Sequence, residues 1–225
     1  MSDPTLIARN LEIIRAHIAA SARAVGRAPE EITLIAVSKF HPQSTVRTAC
    51  AAGVTVFGEN RVQEAAEKFP LPGVKLHIIG GLQTNKAAQA VRLADSIDSL
   101  DRPRLADAID HAAQAQGRLP ALLVQVNIGD EPQKAGVSTA AADGFIRAMR
   151  QRFGPALQGV MCIPPAHADP TPFFHKLRAM ADTHGLPVRS MGMSGDYEAA
   201  IAAGATHVRI GTAIFGQREQ HVIRP

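Results

Sequence analysis

The segment "LIAVSKFHP" (residues 34–42) contains an apolar run, typical of a buried strand, that ends just before a lysine, Lys39. Apolar surroundings or a nearby cation disfavour the ammonium form, and the neutral amine is the form that attacks a carbonyl carbon to give an imine. Most lysines are solvated surface charges, and this is the alternative for Lys39. Its position at a strand end makes Lys39 a candidate imine-forming residue.

Two glycine-rich segments near the C-terminus, "SMGMSGD" (residues 190–196) and "RIGTAIFG" (residues 209–216), suit an anionic ligand. Glycines let backbone N–H groups approach a phosphate, and Ser194 is placed to donate its hydroxyl and to cap a following helix. Ordinary turn glycines with an N-cap serine are the alternative. Lys86 and Lys134 are solvated lysines by default, with attraction of a phosphate as their alternative.

Strand-like and helical periodicities alternate along the chain. Strands are predicted at residues 32–38, 55–57, 75–79, 95–97, 121–128, 157–163, 187–193 and 206–211. The apolar stripes of the predicted helices are Ile7, Leu11, Ile14 and Ile18; Val46, Ala49 and Cys50; Val62, Ala65, Ala66 and Phe69; Leu105, Ile109 and Ala112; Phe145, Ala148 and Met149; and Phe173, Leu177 and Met180. Asp3 and Thr84 are predicted N-caps, and a short helix is predicted over residues 197–202.

Eight strand–helix units in 225 residues predict a single (β/α)8 TIM barrel that forms one domain over residues 1–225. A doubly wound open sheet is the alternative. The run "ALLVQVNI" (residues 121–128) is almost wholly apolar, as expected of a parallel strand covered on both faces. In such a barrel, functional groups gather at the carboxyl ends of the strands, and the loops after strands seven and eight most often build a phosphate site. The fold therefore places Lys39 and both glycine-rich segments at one rim.

The composition narrows the function classes. The net charge of +4 is spread among acidic residues, and eight Phe and one Tyr leave little for base stacking, so nucleic-acid binding is not expected. Charged residues interrupt the N-terminal segment and no run is long enough to span a bilayer, which predicts a cytoplasmic protein without membrane contact. Cys50 and Cys162 lack metal-ligand spacing and are expected to be buried thiols, while His77 and His207 are expected to be hydrogen-bonded structural residues.

An imine-forming lysine and a phosphate cradle at one rim together require a ligand that has an aldehyde and a phosphate. Pyridoxal 5′-phosphate has both. Arg209, which begins the second glycine-rich segment, would then hydrogen-bond the pyridine nitrogen of this cofactor. A surface salt bridge is the alternative for Arg209.

Six segments, in this order, resemble the pyridoxal phosphate homeostasis protein family over nearly the whole chain: "IAVSKFHP", "FGENRVQEA", "HIIGGLQTNK", "VQVNIGDEPQKAGV", "GVMCIPP" and "SMGMSGDYEAAIAAGATHVRIGTAIFG". The resemblance implies a barrel like the N-terminal domain of alanine racemase, in which Lys39 carries the cofactor as a Schiff base. The positions that match the family's other cofactor contacts are Ser194, Gly211 and Thr212 for the phosphate, Arg209 for the pyridine nitrogen and Asn60 in the pocket wall.

Three positions depart from the family pattern. Gly81 stands where proline or histidine is common, Arg61 where tyrosine is common and Tyr197 where methionine is frequent. These departures concern contacts at the rim rather than the groups expected to hold the cofactor.

The arginine bears on function, because a permanently charged guanidinium donates to the ring nitrogen and weakens the ring as an electron sink. A racemase also needs acid/base groups on both faces of the substrate carbon, which alanine racemases complete with a tyrosine from an additional domain of the partner subunit. Here the only tyrosine is Tyr197, expected to pack or lie at the rim, and the sequence ends at Pro225.

We therefore expect a monomeric, non-enzymatic carrier that holds and releases pyridoxal 5′-phosphate in vitamin B6 and amino-acid homeostasis, with cofactor-requiring client enzymes as transient partners. The alternatives are a weak, racemase-like enzyme that acts on amino acids with this cofactor, and a cofactor-free imine aldolase.

Overall fold

The computed structural model describes residues 4–216, in which parallel strands alternate with helices. The strands are β1 (Thr33–Val37), β2 (Val56–Glu59), β3 (Lys75–Ile78), β4 (Ser96–Leu100), β5 (Ala121–Asn127), β6 (Val137–Ser138), β7 (Leu157–Cys162), β8 (Val188–Ser190) and β9 (His207–Ile210). The helices are α1 (Pro4–Ala24), α2 (Gln43–Ala51), α3 (Val62–Lys68), α4 (Ala87–Leu93), α5 (Pro103–Gln116), α6 (Thr139–Phe153), α7 (Thr171–Thr183), α8 (Tyr197–Ala202) and α9 (Thr212–Phe215).

Eight of these strands close into a parallel barrel. Around the ring the neighbours are β4, β3, β2, β1, β9, β8, β7 and β5, and β4 pairs with β5 to complete it. The two-residue strand β6 lies beside β5, where Val126 is in register with Val137. The predicted (β/α)8 TIM barrel is confirmed, and the open-sheet alternative is wrong because each barrel strand has a partner on both sides.

The eight barrel strands lie where the sequence predicts them, and most of their ends agree within two residues; two strands differ more in length, and one short strand is additional. Strand β4 continues to Leu100 with every residue buried, although Ser96, Asp98 and Ser99 give it a polar sequence. Strand β8 is shorter than predicted, and β6 was not predicted at all because two residues carry no periodicity.

The buried face of α1 is confirmed, and its predicted N-cap, Asp3, lies outside the described residues. Three other stripes are partly wrong, because Ala66 and Ala148 are exposed and Phe174, rather than Phe173, is fully buried. In each case two adjacent apolar residues fit neighbouring stripes, and only packing against the sheet selects one of them.

The predicted N-cap at Thr84 is also wrong. Thr84 begins a 3-10 turn (Thr84–Lys86), and α4 starts after it with Lys86 at its N-cap. The apolar period of a helix does not show whether an irregular turn precedes its first residue.

Helix α1 fastens the last two βα units to the start of the chain. The Asn10 side-chain amide donates to the Ile214 carbonyl oxygen at 3.0 Å, and His17 Nδ1 lies 3.2 Å from the Tyr197 hydroxyl. Just after α1, the Arg27 guanidinium donates to the Ala205 carbonyl oxygen at 2.8 Å. These contacts hold the units that carry both glycine-rich segments.

Within residues 4–216, no helix combines the length and apolar character needed to cross a bilayer. The same residues contain no cluster of three or more His, Cys, Asp or Glu side chains arranged to hold a metal ion. Both cysteines are free thiols: Cys162 is buried as predicted, and Cys50 is only half-buried.

Gly159 of β7 and Gly144 of α6 give opposite predictions for the same substitution. A Cβ on Gly159 would lie 2.1 Å from the Val188 carbonyl oxygen of β8, whereas a Cβ on Gly144 would point away from its own helix into open space. We expect Gly159→Ala to lower the free energy of unfolding by about 1–3 kcal/mol, because β8 must move. Gly144→Ala should raise it by about 0.5–1 kcal/mol, because alanine is the better helix former. Urea unfolding monitored by circular dichroism measures both values, and a stable Gly159→Ala protein would contradict the close β7–β8 approach.

Candidate functional site

A cavity of about 630 Å³ opens at the carboxyl ends of the barrel strands. Its volume falls in the range of small-molecule sites, roughly 300–1,000 Å³. The lining includes every residue for which the sequence predicts a ligand contact: Lys39, Asn60, Ser194, Arg209, Gly211 and Thr212. Barrel closure therefore brings together candidates from opposite ends of the chain.

Lys39 enters the cavity from the end of β1. Strand β1 ends at Val37, Ser38 is fully buried, and Lys39 is half-buried, whereas the next residue, Phe40, is exposed. Phe40 adopts a positive φ of 66°, which turns the chain sharply after the lysine. Lys39 therefore lines the cavity rather than the outer surface of the barrel.

Arg209 lies at the cavity floor on β9 and is only 4% exposed. One guanidinium nitrogen donates to the Ser190 hydroxyl and the other to the Cys162 carbonyl oxygen, both at 2.8 Å. Burial lowers the pKa of Arg209, an effect that nearby Cys162, Asp98 and Asp196 oppose. The predicted alternative of a surface salt bridge is wrong, because the barrel interior fixes this side chain.

Cys162 lies directly beside this arginine. Burial raises the pKa of the Cys162 thiol to about 12, although the charge of Arg209 acts in the opposite direction. The thiol therefore stays neutral at physiological pH, and Cys162 contributes its backbone carbonyl oxygen to Arg209 rather than a thiolate nucleophile.

The two glycine-rich segments form the wall next to Lys39, because β9 and β8 follow β1 around the barrel. Gly211 precedes the short helix α9, which begins at Thr212, and a Cβ on Gly211 would lie 3.1 Å from the Val37 carbonyl oxygen. Ser194 is exposed in the loop before α8, and the N-cap of that helix is Asp196, whose carboxylate accepts the Met193 N–H at 2.6 Å. The predicted capping role of Ser194 is therefore wrong, which leaves its hydroxyl at the cavity wall.

Asn60 and Gly80 meet on the β2–β3 side of the cavity. A Cβ on Gly80 would lie 2.4 Å from the Asn60 carbonyl oxygen, so this close backbone approach requires a glycine. Next to it, a Cβ on Gly81 would meet open space within 4 Å. The departure from the family pattern at Gly81 thus concerns the open rim.

Gln125 and Lys134 also line the cavity, although neither is among the predicted ligand contacts. Gln125 lies on β5, where its amide nitrogen donates to the Ala135 carbonyl oxygen at 3.2 Å. Its Oε1 is buried and has no hydrogen-bond partner within the described part of the chain. Lys134 also lines the cavity and donates to the Pro164 carbonyl oxygen at 2.9 Å, whereas Lys86 is not part of the lining. The sequence feature that could have identified Gln125 is its polar side chain within a largely apolar run.

A second cavity, of about 490 Å³, lies at the opposite end of the barrel and is lined in part by His77 and His207. His77 Nδ1 lies 3.2 Å from the carboxylate of Asp98, which is fully buried, and His207 Nδ1 lies 3.0 Å from the Thr206 hydroxyl. Both histidines are hydrogen-bonded, as the sequence predicted. None of the predicted ligand contacts lies at this end.

Comparisons with known proteins define the class to which this barrel and its cavity belong. Residues 3–219 match the family model described as the N-terminal domain of alanine racemase. The alanine racemase of Corynebacterium glutamicum is 18% identical with a TM-score of 0.70, covering all of this chain and 66% of that one, which shows the shared fold alone. The class is thus the alanine racemase N-terminal barrel.

More similar proteins narrow this class. A pyridoxal phosphate homeostasis protein of Escherichia coli (strain K12) is 42% identical over 95% of this chain and 97% of its own length. PipY of Synechococcus elongatus, solved with PLP bound, is 36% identical with a TM-score of 0.77, covering 93% of this chain and all of that one. The chain belongs to the family of pyridoxal phosphate homeostasis proteins.

The histidine pair at the second cavity generates a pH prediction. Burial lowers the pKa of His207 from 6.5 to about 4; the charges of His77, Arg209 and Lys75 act in the same direction, and Asp98 opposes them. Between these two pH values the unfolded chain binds a proton at His207 that the folded chain does not, so stability falls as the pH drops through this window. We expect a contribution of up to about 3 kcal/mol between pH 7 and pH 4.

Urea unfolding at a series of pH values measures this contribution. Replacing the ring by His207→Asn should flatten the pH dependence between pH 6.5 and 4. Equal pH slopes for the wild-type protein and the variant would contradict the assignment to His207.

Proposed function

We propose that this protein is a non-enzymatic carrier that binds pyridoxal 5′-phosphate as a Schiff base on Lys39 and buffers it in vitamin B6 and amino-acid homeostasis. The observation that carries the proposal is that Lys39, Arg209 and both glycine-rich segments line one cavity of about 630 Å³. The family relationship and the PLP-bound structure of PipY support the same ligand.

The donor set of the cavity fits this ligand. An amine at Lys39 and a fixed guanidinium at Arg209 occur together with the hydroxyls of Ser194 and Thr212. The buried Oε1 of Gln125, which lacks a partner among residues 4–216, also favours an occupant that has a hydrogen-bond donor. Bound pyridoxal phosphate supplies an aldehyde, to which the Lys39 amine adds with loss of the carbonyl oxygen as water.

We assign the contacts as follows. Ser194, Gly211 and Thr212 bind the phosphate, since a hydroxyl and a glycine backbone N–H are both suited to an oxyanion. Arg209 donates to the pyridine nitrogen, and its hydrogen bonds to Ser190 and Cys162 hold the guanidinium in place for this contact. Asn60 forms part of the wall beside Gly80.

The surroundings of the cavity favour a carrier over an amino-acid enzyme. Arg209 has no acceptor function, so a ring nitrogen that contacts it stays unprotonated. Tyr197, the only tyrosine in the sequence, is 7% exposed and lies against His17 of α1 rather than in the cavity lining. The described residues therefore place no tyrosine acid/base beside Lys39.

A weak enzyme that acts on amino acids with this cofactor is the second candidate. Lys134 favours it, because its amine lines the same cavity as Lys39 and is a second basic group. The hydrogen bond to the Pro164 carbonyl oxygen and the ion pair with Glu131 engage that amine and weaken the argument.

We further propose that residues 1–225 act as a single domain and a monomer in the cytoplasm, with PLP-requiring client enzymes as transient partners. The closed barrel supports a single domain, since its core is completed within residues 4–216. Sedimentation at micromolar concentration should give one species near 23.8 kDa, and a stable dimer would contradict the monomer.

Visible absorption should reveal the Schiff base. We expect the protein loaded with pyridoxal 5′-phosphate to be yellow, and borohydride to fix the cofactor on Lys39 in a peptide mass map. Lys39→Ala should lose the yellow band and the adduct, whereas Lys86→Ala should keep both because Lys86 is not part of the cavity lining. A wild-type protein that cannot be loaded would contradict the proposed function.

Exchange of the amino-acid α-proton separates the carrier from the enzyme. We expect the loaded protein in deuterium oxide to exchange the α-proton of single amino acids no faster than free pyridoxal 5′-phosphate, as measured by proton NMR. Exchange well above this rate, lost in Lys39→Ala, would contradict the carrier. Binding of pyridoxal as tight as that of its phosphate ester would contradict the phosphate site and favour an imine aldolase.

A further inference from the structure

A buried ion cluster lies directly behind the candidate lysine. Lys68, the last residue of α3, is 4% exposed. Its ammonium donates to the Ser38 carbonyl oxygen and to Glu59 Oε1, both at 2.8 Å, and to Glu64 Oε1 at 2.6 Å. An ammonium has three N–H bonds, so each finds an acceptor.

Glu59 connects this cluster to strand β1. It is fully buried on β2, and its Oε1 also accepts the Ser38 hydroxyl at 2.7 Å, while its Oε2 has no hydrogen-bond partner among residues 4–216. Burial raises the pKa of Glu59, and the hydrogen bonds from Lys68 and Ser38 oppose that effect. Ionic groups in such a place cost free energy relative to apolar side chains of similar size, so folding alone gives little reason for them.

Glu64 completes the cluster and contacts the chain just after Lys39, whereas Lys68 contacts it just before. Its carboxylate accepts the backbone N–H of Phe40, while the Ser38 carbonyl oxygen accepts the His41 N–H at 3.1 Å. Residues 38–41 therefore form a turn in which Phe40, with φ of 66°, occupies a position that usually takes glycine. Strained backbone of this kind persists only when its surroundings hold it, and it clusters at functional sites.

The two peptide groups of Lys39 are thus both held by one set of side chains. Lys68 binds the carbonyl oxygen of the preceding residue, and Glu64 binds the N–H of the following residue. We propose that Lys68 and Glu64 are positioning residues that fix the backbone of Lys39 and thereby aim its amine into the cavity for Schiff-base formation. This inference rests on the proposed function and adds to it the residues that orient the reactive lysine.

The test compares two ligands that differ only at the reacting carbon. Pyridoxal 5′-phosphate forms the Schiff base, followed as a change in absorbance after rapid mixing, whereas pyridoxine 5′-phosphate has an alcohol there and reports on the rest of the cavity by titration calorimetry. We expect Lys68→Met to slow Schiff-base formation by at least about tenfold, as for a misplaced reactive group. The affinity for pyridoxine 5′-phosphate should change by less than about twofold, since neither Lys68 nor Glu64 lines the cavity.

Two substitutions of Glu64 test the same inference, and both keep Glu59 in place to neutralise the charge of Lys68. Glu64→Gln keeps an oxygen acceptor for the Phe40 N–H and should retain most of the wild-type rate, whereas Glu64→Leu removes it and should be slow. Arg152→Met is the matched control, because it breaks ion pairs with Asp107 and Asp110 between α6 and α5 and touches no cavity residue. It should change neither the rate of Schiff-base formation nor the affinity for pyridoxine 5′-phosphate, whatever its effect on stability.

Three results would overturn the inference. The first is a wild-type rate of Schiff-base formation in both Lys68→Met and Glu64→Leu. The second is an equal loss of binding of both ligands in these variants. The third is an equal rate of Schiff-base formation in Glu64→Gln and Glu64→Leu. A wild-type protein that binds neither ligand would overturn the proposed function as well, and it is distinguished by the wild-type measurement alone.

Discussion

Pairing of the first strand with the last is the interaction on which the rest of this structure depends. Strands β1 and β9 are parallel, with Ile35 in register with Arg209 and Ala36 with Ile210. Because both strands run in the same direction, the chain leaves them at the same rim, and Lys39 and Thr212 line one cavity. The contacts of α1 with the last two βα units reinforce this closure from outside the barrel.

The charged groups around the cavity are fixed by hydrogen bonds inside the protein. Arg209 is held by Ser190 and Cys162, and Lys68 by one carbonyl oxygen and two carboxylates. A buried charge that lost these partners would remain desolvated and unpaired, which is costly, so each side chain has one strongly preferred arrangement. A site organised in this way loses little conformational entropy when a ligand binds.

The barrel itself does not distinguish a carrier from an enzyme. The same fold occurs in an alanine racemase at 18% identity, and one fold hosts many functions. The distinction rests on the side chains around the cavity. Arg209 offers the cavity only hydrogen-bond donors, whereas a carboxylate would offer acceptors. Tyr197 lies against His17 of α1 and does not line the cavity.

Local sequence patterns predict the alternation of strands and helices, the barrel and the motifs that contain Lys39, Ser194 and Arg209, because periodicity and strand-end chemistry are local properties. Tertiary structure decided which of two adjacent apolar residues faces the core, and it moved the α8 cap from Ser194 to Asp196. It alone brought Gln125 into the cavity and the Lys68 cluster behind Lys39. These features depend on contacts between residues distant in the chain, for which no local pattern exists.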